Sequence, residues 1–74
     1  MNRLILSIEI YPLSSIKAAI NCFSDIATIH IEKDNDAFIC TFNMIKTIPV
    51  EICIAEFENY LIDYINSEKQ YETD

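Results

Sequence analysis

The chain of 74 residues contains no glycine. Glycine adopts positive φ angles without steric cost, so any left-handed turn position in this protein must be taken by Asn or Asp. The phosphate-binding loops of nucleotide enzymes and the nucleophile elbow of hydrolases are built on glycines, and none of these motifs can occur here. The lack of glycine therefore restricts the turns and removes several classes of catalytic site.

Alternation of apolar and polar residues predicts three strands. A period of two, typical of a half-buried strand, runs over residues 3–11 and is ended by Pro12, which cannot donate to a sheet ladder. The same period recurs over residues 27–32 and 37–44, and the polar segment 33–36 between them predicts a tight turn. The second and third strands are therefore expected to form a hairpin.

A spacing of three and four residues predicts two helices. In the first, Ser14 or Ser15 is expected to cap the amino terminus, ahead of an apolar stripe at Ile16, Ala19, Ile20 and Phe23. The second is predicted from about residue 50 to residue 69, following Pro49. Its apolar positions are Val50, Ile54, Phe57, Leu61, Tyr64 and Ile65.

These elements predict one α+β domain in the order β-α-β-β-α, because a chain this short cannot supply two hydrophobic cores. We expect both helices to cover one face of a three-stranded sheet, with the third strand antiparallel to its neighbours. The expected domain comprises residues 1–69, and residues 70–74 form a polar tail.

Charge and apolar content exclude several kinds of partner. The net charge of −7 disfavours nucleic acid and anionic membranes, because both require Lys and Arg to neutralise phosphate. No apolar run is long enough to cross a bilayer, and the amino terminus lacks the features of a signal peptide. We therefore expect a cytoplasmic protein, with Cys22, Cys40 and Cys53 as free, buried thiols.

The chain offers little equipment for catalysis. His30 is predicted on the polar face of its strand, while Cys40 is predicted on the buried face of the next strand, so the two cannot act as a pair. The carboxylates of the second helix are expected to be solvated rather than placed around a pocket. Neither a metal nor a cofactor is expected, and an enzyme acting on a small molecule would need a deep polar pocket around His30.

Two surfaces are candidates for binding another protein. Residues 51–74 carry seven of the twelve acidic residues and a single basic one, Lys69. On the sheet face away from the helices, Ile5, Ile39 and Ile45, flanked by Tyr11, are predicted to be exposed. Together with the open sheet edges they could accept a peptide strand or a second copy in a homodimer.

Two segments resemble the HxsD family of the His-Xaa-Ser system. The first is YPLSSIKAAINCFSD at residues 11–25, and the second is EFENYLIDY at residues 56–64. The resemblance covers roughly residues 8–66. The matching positions are Ile16, Ala18, Ala19, Phe23 and Asp25 in the first segment and Glu56, Phe57, Asn59, Leu61 and Asp63 in the second.

The resemblance implies an accessory protein rather than an enzyme. Members of this family are found beside radical SAM enzymes that modify ribosomally made peptides, so the implied partners are a radical SAM maturase, its precursor peptide, or both. The implied contact residues on the second helix are Glu56, Asn59 and Asp63. The alternative interpretation of the acidic helix is an inhibitor or antitoxin-like protein that blocks a basic surface, such as that of a nuclease.

Overall fold

The computed structural model describes residues 2–72, and it confirms the α+β fold and the order β-α-β-β-α. No helix in this range combines the length and the apolar character needed to cross a membrane. The elements are β1 (Arg3–Ser7), α1 (Leu13–Cys22), β2 (Ala27–Asp34), β3 (Ala37–Met44) and α2 (Val50–Glu72). Helix α2 thus runs further than expected, and residues 73 and 74 of the predicted tail lie outside the described residues.

The sheet has the order β1-β3-β2, and β3 is antiparallel to both of its neighbours, as predicted. The β2–β3 hairpin is also confirmed, with Asp34 paired with Ala37 on either side of the turn. Asn35 in this turn has a φ angle of 55°. An asparagine therefore takes the left-handed position that glycine would fill in most proteins.

Strand β1 ends earlier than its alternating sequence predicts. It stops at Ser7 because the Ser7 carbonyl accepts hydrogen bonds from the amides of Ile10 and Tyr11, at 3.2 and 3.0 Å, which turns the chain away from the sheet. The period of two over residues 3–11 predicts Ile10 on the same buried face as Leu4 and Leu6, but Ile10 is 64% exposed. Tyr11, expected beside the outer sheet face, instead packs against the core.

Helix α1 begins before the two serines that were expected to cap it. Pro12 occupies the N-cap position, and its carbonyl accepts the amides of Ser15 and Ile16. No side chain caps this end, and Ser15 is buried inside the first turn. A proline cap has a fixed φ near −65°, so the helix can start at Leu13 without a side-chain acceptor.

The core lies between the sheet and the two helices, which contribute to a single cluster with the inner face of the sheet. From α2 the fully buried residues are Cys53, Phe57 and Leu61, one turn apart. The remaining buried hydrophobic residues are Leu6, Ile16, Ala19, Ala27, Ile29, Phe38, Cys40 and Phe42. Of the three thiols expected to be buried, Cys40 and Cys53 are, but Cys22 is exposed because it lies at the last position of α1, off the stripe that faces the core.

Candidate partner-binding surfaces

The outer face of the sheet carries a narrow apolar row. Ile5 of β1 and Ile39 of β3 are cross-strand partners, and Glu32 of β2 follows Ile39 in the same row. Ile5 is 67% exposed and Ile39 is half-buried, so their predicted exposure is right for the first and partly right for the second. Ile45 is exposed as predicted, beyond the end of β3. The apolar part of this face is a single isoleucine pair, which is too small to form an interface alone.

The edge of β1 next to this pair has unpaired backbone groups. The amide of Phe42 donates to the Asn2 carbonyl at 2.8 Å, which places Asn2 in a hydrogen-bonded pair with β3. Because alternate residues of an antiparallel edge strand face away from their partner, the amides of Arg3, Ile5 and Ser7 point outward. An extended peptide could add to the sheet here, with the Ile5 side chain beside it.

The exposed side of α2 brings three of the predicted binding residues together. Glu56, Asn59 and Asp63 are all exposed and lie within two turns of one another. Asn59 lies opposite the buried residues Phe57 and Leu61 on the helix cross-section, where the helix is furthest from the core. Three of the seven acidic residues of this region, Glu68, Glu72 and Asp74, lie outside the described side chains, as does the basic Lys69.

Two exposed isoleucines on the same side of α2 were missing from the sequence interpretation. Ile52 is 54% exposed and Ile62 is 45% exposed. They share the face of Ala55, Asn59 and Asn66, and we call these five exposed residues the α2 outer stripe. Both isoleucines are out of phase with the core residues of the helix, and the signal that could have found the stripe is a second, weaker repeat in phase with Asn59.

The charge around the stripe is negative on both sides. Glu56 and Asp63 flank it on one side, while Glu51 and Glu58 flank it on the other. In the described part of the chain a salt bridge joins His30 Nε2 and Glu32 Oε2 at 4.0 Å, and none of these four carboxylates takes part in it. Their charges are therefore available to an incoming basic group.

A run of aromatic rings connects the core to the surface of α2. Three successive pairs of rings pack edge-on. The distances between ring centroids are 5.2 Å for Phe42 and Phe57, 5.4 Å for Phe57 and Phe23, and 5.9 Å for Phe23 and Tyr60. Tyr60 then stacks on Tyr64 with ring centroids 6.2 Å apart. The rings hold α2 against both α1 and the sheet, and so fix the direction in which its exposed side points.

The last two rings border an open depression of about 240 Å³. Its lining includes Tyr60, Asp63, Tyr64 and Ser67 along one side of α2. A hydrogen bond with the Cys22 thiol, followed by desolvation, raises the pKa of Tyr60. Tyr60 therefore stays protonated and neutral at physiological pH, and the depression offers aromatic surface and one carboxylate.

The groups considered for catalysis are placed apart. His30 is exposed on the outer sheet face and pairs with Thr41, whereas Cys40 is fully buried on the inner face, as predicted. Burial raises the pKa of Cys40 to about 11 and also raises that of Cys53, so both thiols stay protonated at neutral pH. Among the described residues no cluster of three or more His, Cys, Asp or Glu could hold a metal ion.

Comparison with known families supplies the assignment. The family model described as "His-Xaa-Ser system protein HxsD" matches residues 6–66, from the middle of β1 to near the end of the described part of α2. The chain belongs to the HxsD family. The comparison with curated proteins found no match, and neither did the comparison with solved structures. The match confirms the resemblance seen in the sequence and supports an accessory protein of a His-Xaa-Ser system.

The HxsD match includes the whole of the α2 outer stripe and its acidic flanks, with Glu56, Asn59 and Asp63, and it also contains the core residue Phe57. It begins at Leu6, so Arg3 and Ile5 of the β1 edge lie before it. The α2 surface and the scaffold that holds it therefore belong to the same family unit.

Proposed function

We propose that this HxsD protein is a non-catalytic binding subunit in the post-translational modification of a ribosomally made peptide. It would engage a radical SAM maturase, the precursor peptide, or both, and the iron–sulfur chemistry would belong to the maturase. The observation that carries the proposal is the exposed side of α2, where Glu56, Asn59 and Asp63 are presented together on a rigid helix of an HxsD protein.

The side-chain chemistry favours binding over catalysis. The buried thiols are protonated, and the exposed His30 lies on the outer sheet face, 4.0 Å from a carboxylate oxygen of Glu32. The depression beside Tyr60 is open to solvent and presents aromatic rings rather than paired acids and bases. Such a surface recognises a partner by shape and charge, but it holds no general acid opposite a general base.

The β1 edge supports a second contact, suited to an extended peptide. The outward amides of Arg3, Ile5 and Ser7 could pair with a precursor strand, while Ile5 and Ile39 would contact alternate side chains of that strand. A peptide on β1 and a maturase on α2 would not compete for the same residues. This arrangement would allow one small domain to hold both components.

The test is co-purification after expression of the tagged protein with its radical SAM enzyme and precursor peptide. The wild type should recover at least one of them, and a Glu56→Lys/Asp63→Lys variant should recover much less. Glu9→Lys/Asp34→Lys is the matched control, since it makes the same change of net charge at two exposed carboxylates outside α2 and should leave recovery unchanged. If the wild type recovers neither component while both are expressed, the proposal is wrong.

The acidic flanks of the α2 outer stripe also favour a second candidate, an inhibitor that covers a basic protein surface. Its affinity would come largely from Coulomb attraction and would fall steeply as salt rises beyond about 0.1 M, where the Debye length is roughly 10 Å. Binding through the β1 edge would change far less with salt. Measuring the affinity for an isolated partner at low and moderate ionic strength distinguishes the two functions.

A further inference from the structure

We propose that the α2 outer stripe is a docking seam for one partner helix whose own apolar seam is flanked by Lys or Arg. The inference deepens the proposed function, and rests on it, by naming the kind of partner segment that α2 takes. The stripe consists of Ile52, Ala55, Asn59, Ile62 and Asn66, all of which are exposed.

The spacing of the stripe is that of a coiled-coil seam. Its residues follow one another at intervals of three, four, three and four, which corresponds to alternating a and d positions of a heptad repeat. At a rise of 1.5 Å per residue the stripe extends for roughly 20 Å along the helix. A straight partner helix could follow it over about four turns.

The stripe is not needed by the fold. The core side of α2 is occupied by Cys53, Phe57 and Leu61, which are at most 3% exposed. Ile52 and Ile62 point the other way, so a partner that covers them would remove exposed apolar surface from water. This burial is a reason for a partner to bind, and it leaves the packing of the domain unchanged.

The charges beside the stripe select the partner. In the heptad set by the stripe, Glu56 and Asp63 occupy e positions and Glu51 and Glu58 occupy g positions. A second copy of α2 would place carboxylate against carboxylate in either orientation, which disfavours self-association through this face. A helix with Lys or Arg at the corresponding positions would pair with all four carboxylates.

Asn59 lies at the centre of the seam and contributes specificity. A polar residue at an a position can hydrogen-bond to a polar residue opposite it on the partner helix. Opposite an aliphatic side chain it is left without a partner and destabilises the helix pair. Asn59 therefore selects a partner helix with a polar residue midway along its seam and fixes the register of the pair.

The test uses a synthetic three-heptad peptide with Leu at a and d, a single Asn at the central a position, and Lys at e and g. Its affinity for the intact protein is measured by titration calorimetry, and the contacted amides are located by NMR. The matched variant is Ile52→Gln/Ile62→Gln, which leaves the net charge unchanged, and the control is Ile10→Gln, an exposed isoleucine in the β1–α1 connection, outside both candidate surfaces. Circular dichroism checks that each variant is folded.

We expect the double glutamine variant to bind the peptide at least about tenfold more weakly than the wild type, and Ile10→Gln to bind within about twofold. A peptide with Glu at e and g, and a Lys peptide with Ser in place of Leu, should each bind at least about tenfold more weakly. Equal binding of either control peptide would overturn the inference. The inference would also be overturned if the wild type were a dimer and the double glutamine variant a monomer, because the α2 outer stripe would then bind a second copy of this chain.

Co-purification separates this inference from the proposed function. If the double glutamine variant recovers the radical SAM enzyme and the precursor as well as the wild type does, the α2 outer stripe is not the docking site for a partner helix. The proposed function is then unaffected. If the peptide binds as expected but the wild type recovers neither component, the α2 outer stripe does dock a basic helix and the proposed function is wrong.

Discussion

Replacing Phe57 with alanine should remove much of the stability of the domain. The Phe57 side chain has no exposed surface, and its ring packs edge-on to Phe42 at 5.2 Å and to Phe23 at 5.4 Å. It therefore links the sheet, α1 and α2 in one place. Truncating a fully buried phenylalanine costs about 3–5 kcal/mol, since the surrounding structure refills the cavity only in part.

That loss is large for a chain of this length. At roughly 0.05–0.15 kcal/mol per residue, the free energy of unfolding of the whole domain is about 4–11 kcal/mol. With a urea m-value of about 1 kcal/mol/M, Phe57→Ala should lower the unfolding midpoint by roughly 3 M or more. Urea titration followed by far-UV circular dichroism measures this shift directly.

Two control variants test whether the loss of stability comes from the buried Phe57 ring. Ile52→Ala lies on the same helix but at an exposed position, and should change the stability by no more than about 0.5 kcal/mol. Phe57→Leu keeps most of the volume and should cost less than the alanine variant. A loss below about 1.5 kcal/mol for Phe57→Ala would refute the conclusion that this ring joins the three elements into one core.

Three further predictions concern the thiols and the hairpin turn. Cys22 is exposed and should react with a thiol reagent in the native protein, whereas Cys40 and Cys53 should react only after unfolding; fast labelling of all three in the native state would contradict their placement. Burial raises the pKa of Cys40 from 9.0 to about 11, so its contribution to stability is complete below pH 9 and is lost as the pH rises toward about 11. The difference in unfolding free energy between the wild type and Cys40→Ala should therefore shrink across this range, and a constant difference would argue against the shift. Asn35 has a φ of 55°, so Asn35→Gly should be neutral or stabilising and Asn35→Val should cost about 1–2 kcal/mol, measured by thermal unfolding; equal stability of the two variants would argue against the left-handed turn.

The parts of the fold that follow from local pattern could be predicted from the sequence. The β2–β3 hairpin was predictable because alternation on both strands and a polar turn agree with one another. Helix α2 was predictable because its core residues repeat at three and four. Phe57 and Leu61 fall in that repeat and are fully buried.

The errors occur where local backbone hydrogen bonds override the pattern of the side chains. The alternation of residues 3–11 continues through Ile10, but hydrogen bonds to the Ser7 carbonyl end the strand before it. Ser14 and Ser15 are good capping residues, yet Pro12 takes the N-cap position. In both places the local pattern was present and a neighbouring backbone group took precedence.

The candidate surface was predicted in part. Glu56, Asn59 and Asp63 were predicted and lie together on α2, but Ile52 and Ile62 were not. An apolar residue on a helix is read as core unless the direction of the core is known. Only the packing of Cys53 and Phe57 shows that the two isoleucines point to solvent.

The central position of β3 has a consequence for how the protein is made. During synthesis β1 leaves the ribosome before β3, its neighbour in the described sheet, so Arg3 has no partner until Thr41 has emerged. The β2–β3 hairpin can close locally, whereas β1 must then find it across a long loop, which slows the step. A nascent chain stalled after α1 would hold an unpaired strand, and the segment from β1 to the end of α1 therefore depends on the rest of the domain to fold.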